Sequence, residues 1–136
     1  MSNSAPLRLG IAGLGTVGVG VLRITRKHAK LIEERTGRAV TVTAVAARNR
    51  AKDRGVDLKP YAWEDDPVQL ATRDDIDVFV ELMGGSDGPA KASVEAAIAA
   101  GKHVVTANKA LLAHHGQELA EAAEAAGIVL RFEAAV

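Results

Sequence analysis

The chain has no cysteine, which excludes a disulfide framework and a thiolate metal site and suits a reducing compartment. It also lacks an excess of either charge. Its 17 basic residues face 17 acidic ones, so no global field draws it to nucleic acid or to an anionic membrane surface. Any anion site must therefore be local. The N-terminus Met1-Ser2-Asn3-Ser4-Ala5-Pro6 has neither the basic nor the apolar region of a secretory signal, and no apolar run approaches the roughly 20 residues that span a bilayer. The expectation is a cytoplasmic protein with neither nucleic acid nor membrane as partner. Internal repeats, linkers and low-complexity segments are absent too. The 136 residues fit one domain, 1–136, large enough to bury about two-thirds of its unfolded surface.

What is present alternates. Strand-like runs at Leu7 to Ala12, Val40 to Ala47, Val78 to Leu82, His103 to Thr106 and Ile128 to Phe132 are rich in Val and Ile and bounded by Gly, Asp or Arg. Helical patterns fall between them. Thr16 to Arg35 ends before Gly37, Pro89 to Ala100 opens on proline and stops at Gly101, and Ala113 to Ala126 stops at Gly127. The irregular stretch Asp53 to Asp77 holds one short helix, Pro67 to Thr72. Strands joined by helix-length crossovers predict a doubly wound α/β fold of Rossmann type, a mainly parallel sheet of about five strands with helices on both faces.

The loop Gly13-Leu14-Gly15-Thr16-Val17-Gly18 sits between the first strand and the first helix, where G-x-G-x-x-G marks a dinucleotide site. Each glycine has a reason. Gly13 permits the turn, Gly15 leaves out the Cβ that would keep a pyrophosphate off the backbone, and Gly18 lets the helix pack closely on the strand. The helix start at Thr16 and Val17 then offers free amides and a positive dipole end.

At the end of the second strand, where a carboxylate would bind the ribose hydroxyl of NAD, stands Ala47-Arg48-Asn49-Arg50, with Lys52 beyond. Arg48 and Arg50 suit the 2′-phosphate of NADP. An arginine there can also stack on adenine and tolerate NAD, or belong to an ordinary solvated loop. The third and fourth strands run into Glu81-Leu82-Met83-Gly84-Gly85 and Thr106-Ala107-Asn108-Lys109. Both lie at carboxyl ends of strands, the ligand-binding edge of such a sheet. Gly84 and Gly85 admit close approach of a ring, and Lys109 brings a positive charge to the nicotinamide end. The competing structural reading makes Asn108 a helix cap and Lys109 a first-turn residue, an unfavourable place for a cation.

Other constellations read as structure. Tyr61 and Trp63 have no basic cluster around them of the kind nucleic-acid binding requires, and read as cover for a core edge. His114 and His115 are adjacent, so their rings diverge rather than pair on a metal. Glu118, Glu121 and Glu124 lie near one helical face and read as solvated surface.

The run Leu9 to Val21, together with Glu81 to Gly85, Val104 to Ala110 and the terminal Phe132-Glu133-Ala134-Ala135-Val136, resembles the N-terminal domain of homoserine dehydrogenase, and the likeness extends over the whole chain. The resemblance implies an enzyme that interconverts L-homoserine and L-aspartate 4-semialdehyde by hydride exchange with NADP or NAD, on the route to threonine, methionine and isoleucine. It implies that Thr16 and Val17 contact the pyrophosphate, that Arg48 meets the 2′-phosphate, and that Lys109 is a catalytic residue beside cofactor and substrate. Met83, Gly84, Gly85, Thr106 and Asn108 complete the cofactor-binding set. Glu133 and Val136 match the start of a monovalent-cation site, usually sodium, built largely from backbone carbonyls. The family continues past Val136 with a Gly-Gly-Ile-Pro segment and a second domain that carries another catalytic lysine, the substrate-binding acids and the interface of a homodimer or larger assembly. This chain is accordingly expected to be a fragment that binds cofactor and turns over little homoserine alone. Two alternatives stand beside that reading: a noncatalytic nucleotide-binding sensor, and a related NAD(P)-dependent amino-acid or semialdehyde dehydrogenase.

Overall fold

The computed structural model describes residues 5–132. Six strands, β1 (Leu7–Ala12), β2 (Val40–Ala46), β3 (Ala62–Glu64), β4 (Val78–Glu81), β5 (His103–Thr106) and β6 (Leu130–Phe132), form one parallel sheet in the order β3-β2-β1-β4-β5-β6. Five helices connect them: α1 (Thr16–Lys27), α2 (Ala29–Thr36), α3 (Pro67–Ala71), α4 (Pro89–Ala99) and α5 (Lys109–Ala126). The doubly wound class expected from the alternation is the observed one. The chain leaves β1 toward β2 and β3, then crosses back to β4 and continues outward to β6. The reversal between β1 and β4 is the topological switch point, with a crevice at the carboxyl ends of the strands.

The central strands β1, β2 and β4 bury both faces toward their carboxyl ends, which is why their apolar runs are nearly continuous. On one face Ile11, Val42, Val45, Val78 and Val80 pack against Leu14, Val19 and Leu22 of the glycine loop and α1. On the other, Ala12, Ala44, Ala46, Phe79 and Val104 meet Leu70 and Ala71 of α3, Val94, Ala97 and Ile98 of α4, and Leu111, Leu119 and Ala123 of α5. The small residues of β1 and β2 on that second face let α3 and α4 lie close to the sheet.

Three expectations change. The sheet has six strands rather than about five because β3 pairs with β2 over three residues, Ala62 to Glu64. A single-turn-length edge strand shows too little alternation to stand out in a stretch of aspartates and prolines. The helix expected over Thr16 to Arg35 divides at His28, whose φ of −113° and ψ of 22° depart from helical values. Gly18, Val19 and Leu22 anchor α1 to the sheet while α2 buries no residue, so the second half follows its own direction. The last helix begins at Lys109 rather than Ala113, because Asn108 caps it and accepts a hydrogen bond from the Leu111 amide at 3.0 Å. The other boundaries agree to within one or two residues, among them the end of α5 at Gly127 in a left-handed conformation.

No helix among the described residues is long and apolar enough to cross a membrane. Tyr61 and Trp63 pack against the α1-side core, as cover for its edge, but the expectation that no basic residues cluster around them does not hold: Arg26 stands 4.8 Å over the Tyr61 ring, and Arg50 and Arg54 stand 5.8 and 5.6 Å from the Trp63 ring. The rings of His114 and His115 lie 6.2 Å apart and tilted, and His115 bridges two carboxylates, Asp87 at 2.9 Å and Glu118 at 2.7 Å.

Candidate functional site

The glycine loop is built by backbone contacts that admit no side chain at two of its three glycines. A Cβ on Gly13, whose φ is +106°, would meet the Leu82 carbonyl oxygen at 2.7 Å, and one on Gly18 would meet the Gly13 carbonyl oxygen at 2.0 Å. Those distances lie inside van der Waals contact, so β1, the β4 end and α1 converge only without side chains there. Gly15 differs. A Cβ on it would meet nothing within 4 Å, so its missing side chain leaves room in front of the backbone rather than behind it. Gly15 is also the N-cap of α1 and supplies no side-chain acceptor, and no acidic residue occupies the first turn. The amides at Thr16, Val17 and Gly18 thus face outward without a capping side chain, next to the positive end of the helix dipole. An anion seated before Gly15 would take up donors that the fold leaves open.

That space opens into a cleft of about 690 Å³ at the switch point, lined on one side by Gly13, Leu14 and Gly15 and on the other by Leu82, Met83 and Gly84. Beyond the end of β2, Arg48, Lys52 and Arg54 reach it, against the single carboxylate of Asp65. The segment after β2 is curled to bring these cations together. Asn49 adopts a left-handed φ of 52°, the Lys52 amide donates to the Asn49 carbonyl at 3.1 Å, and the Arg54 guanidinium donates to the Arg48 and Lys52 carbonyls. Arg54 also stands 5.6 Å over the Trp63 ring. It escaped the sequence reading because its approach depends on this curl. Asn49 and Gly55, residue types that tolerate the left-handed backbone found there, are its only trace in the sequence.

Arg50 stands apart. It points away from the cleft into a second depression with Trp63, Tyr61 and Leu58, its guanidinium carbon 5.8 Å from the Trp63 ring. Among the arginines named from the sequence, only Arg48 lines the cleft.

At the other end lie Gly85, Thr106, Asn108 and Lys109, beyond the lining of the cleft. Gly84 and Gly85 hold φ of 83° and 86°, values that turn the chain sharply after β4. The Asn108 side chain is buried, capping α5 with its oxygen while its amide donates to the Gly85 carbonyl. The Thr106 hydroxyl is fully buried, donating to the Glu81 carboxylate at 2.7 Å and accepting from the Asn108 amide at 3.1 Å. Lys109 is exposed at the first position of α5. The cap expected as the structural alternative is therefore present, and Lys109 follows it, exposed and outside the lining of the cleft. Glu133 and Val136, the residues matched to a cation site, lie outside the described residues.

The geometry is that of a dinucleotide crevice, and sequence similarity says which kind. The family described as "Homoserine dehydrogenase, NAD binding domain" matches residues 13–133. The chain belongs to this family. Homoserine dehydrogenase of Neisseria gonorrhoeae is 44% identical over 131 residues, covering 96% of this chain and 30% of that protein. The Corynebacterium glutamicum enzyme is 42% identical over 128 residues, 94% of this chain and 28% of its own length. Among solved structures, homoserine dehydrogenase of Staphylococcus aureus at pH 7.5 superposes with a TM-score of 0.88 at 34% identity, covering 98% of this chain and 33% of that one. The Thiobacillus denitrificans homoserine dehydrogenase gives 0.86 at 42% identity, over 94% and 29%. The chain thus spans about a third of the length of the family members it matches.

Proposed function

We propose that this chain is the cofactor-holding part of a homoserine dehydrogenase, binding NADP in preference to NAD and serving the interconversion of L-homoserine and L-aspartate 4-semialdehyde. The observation that carries the reading is the cleft itself. An open Gly15 before an uncapped helix N-terminus lies in line with Arg48, Lys52 and Arg54, and no carboxylate occupies the end of β2. A pyrophosphate fits the first feature and a 2′-phosphate the second. The bound nicotinamide supplies the hydride acceptor in one direction and the donor in the other. The chain's own residues then have four tasks. Thr16 and Val17 present amides to the pyrophosphate; Arg48 donates to the 2′-phosphate; Met83, Gly84 and Gly85 bring backbone up to the ring. Lys109, next to the Asn108 cap, is the group of this chain that orients a polar oxygen of the substrate. A monovalent cation at Glu133 and Val136 and homodimerisation through regions outside this chain belong to the same proposal.

Calorimetric titration of the wild type and Arg48→Ala with NADP and NAD tests it. Losing a charge-assisted phosphate contact is expected to weaken NADP about tenfold or more while NAD changes little. Unchanged NADP affinity in the variant overturns the 2′-phosphate assignment, and a wild type that binds neither dinucleotide overturns the whole reading.

A further inference from the structure

Among the described residues Glu81 is the one buried carboxylate: its exposure is zero, at the last position of β4, beside Ala12 of β1 and Thr106 of β5 in register. No ion pair holds it among the described residues. Instead three donors converge on it. The Thr106 hydroxyl donates to Oε1 at 2.7 Å, and the Met83 and Gly84 amides donate to Oε2 at 2.7 and 3.2 Å. The chain of bonds then closes on itself. The Asn108 amide donates to the Thr106 hydroxyl, and the Asn108 side chain donates to the Gly85 carbonyl, at the far side of the same glycine turn. A ring of hydrogen bonds thereby joins the end of β4, the Met83-Gly84-Gly85 turn, the end of β5 and the cap of α5.

Burying a carboxylate costs free energy that an apolar side chain of similar volume would not. A Leu or Met in its place would leave the Met83 and Gly84 amides and the Thr106 hydroxyl without an acceptor, and the turn free to choose another conformation. From that balance we infer that Glu81 is a positioning residue for the nicotinamide end of the site. It fixes Met83 and Gly84, which line the cleft, and through Thr106 and Asn108 it sets where Lys109 leaves the sheet edge. The inference rests on the dinucleotide reading above and adds to it a group that touches neither cofactor nor substrate. Only a carboxylate satisfies the three donors, because an amide would turn its NH₂ toward one of them.

The test separates the two ends of the ligand. Wild type, Glu81→Gln, Thr106→Val and Thr106→Ser are titrated with NADPH and with adenosine 2′,5′-bisphosphate, which carries the adenosine end alone, and thermal unfolding reports whether each variant is folded. Nicotinamide fluorescence on binding is read in parallel. Glu81→Gln is expected to lose about tenfold in NADPH affinity, and Thr106→Val about threefold, with bisphosphate binding unchanged and Thr106→Ser restored to wild type. Equal losses for both ligands would assign Glu81 to the general fold and overturn the inference, as would NADPH binding that no variant alters. If Glu81→Gln does not fold, the Thr106 pair decides by the same split between ligands. A wild type that binds neither probe overturns the dinucleotide reading itself, and that outcome is distinct from a wild type that binds and a Glu81 variant that binds equally well.

Discussion

The two ends of the cleft are built by different physics. At the adenosine end, Arg48 and Lys52 are exposed side chains on a curled loop, and their attraction for a phosphate acts through water and counterions. At the end proposed for the nicotinamide, Glu81, Thr106 and Asn108 are buried and hydrogen-bonded to one another or to the glycine turn. The first arrangement, which in the proposed reading sets which phosphate is welcome, can be altered by one exposed side chain without disturbing the core. The second holds a geometry, and any change in it propagates through a closed ring of partners. Between them the glycine loop belongs to both, since Gly13 touches the end of β4 while Gly15 opens to the ligand.

The loop therefore offers the sharpest way to break the comparison. Gly18→Ala places a Cβ 2.0 Å from a backbone oxygen, and backbone cannot swing aside as a side chain does. We expect a loss of about 3 kcal/mol or more, near the upper end for overpacking, seen as a fall in Tm of about 10 °C. Gly15→Ala has open space around it and should cost less than about 1 kcal/mol, as a weaker N-cap. Its dinucleotide affinity should nevertheless fall more than tenfold, because the methyl group stands where the pyrophosphate would approach. Thermal denaturation and calorimetry on the pair check it. A Gly15→Ala variant that binds NADP normally would show that the ligand lies elsewhere.

Asn108→Ala acts on the nicotinamide end alone. It removes the cap of α5 and the donor to the Gly85 carbonyl together, and about 1 to 2 kcal/mol of stability should go with them. Asn108→Asp keeps the capping oxygen but sets a second oxygen against the Gly85 carbonyl. It should retain most of the helix stability, by circular dichroism and Tm, while weakening NADPH more than adenosine 2′,5′-bisphosphate. Equal stability losses in the two variants would mean that the link to Gly85, and not the cap, carries Asn108's contribution.

The parts legible in the sequence were those written in local chemistry. Gly18 is demanded by the Gly13 carbonyl five residues before it, and the pattern announces a turn at Gly13, although the contact that excludes a side chain there comes from distant Leu82. Arg48 follows from the length of β2. The capped start of α5 at Asn108 was visible as an alternative. Arg54 was hidden because it reaches the cleft only through the curl at Asn49, which no periodicity announces. The role of Glu81 was hidden too, since a carboxylate at a strand end ordinarily faces water. Its position directly after Val78-Phe79-Val80, all buried, and before two glycines is the only hint. Strand β3 was missed for a related reason: pairing with β2, not its own three residues, makes it a strand.

The smallest effect concerns edge strand β3, which ends one residue before Asp65 of the cleft lining. Arg73 donates to Glu64 at 2.7 Å and to Asp75 at 2.8 Å, clamping the end of β3 to the turn after α3. Both contacts are partly solvated, so Arg73→Ala should cost about 1 kcal/mol or less. The arginine, chiefly by its hydrogen bond, holds the Asp75 carboxyl below its ordinary value of 3.8. A carboxyl whose folded value is depressed stabilises the fold above its unfolded value, and that contribution fades as the pH falls through the folded one. The Tm difference between wild type and Arg73→Ala should accordingly be full at pH 6 and shrink toward pH 3. A Tm difference that holds constant down to pH 3 would show that Arg73 works there by packing its stem, and the contrast between an electrostatic end and a hydrogen-bonded one would then stop at the cleft lining.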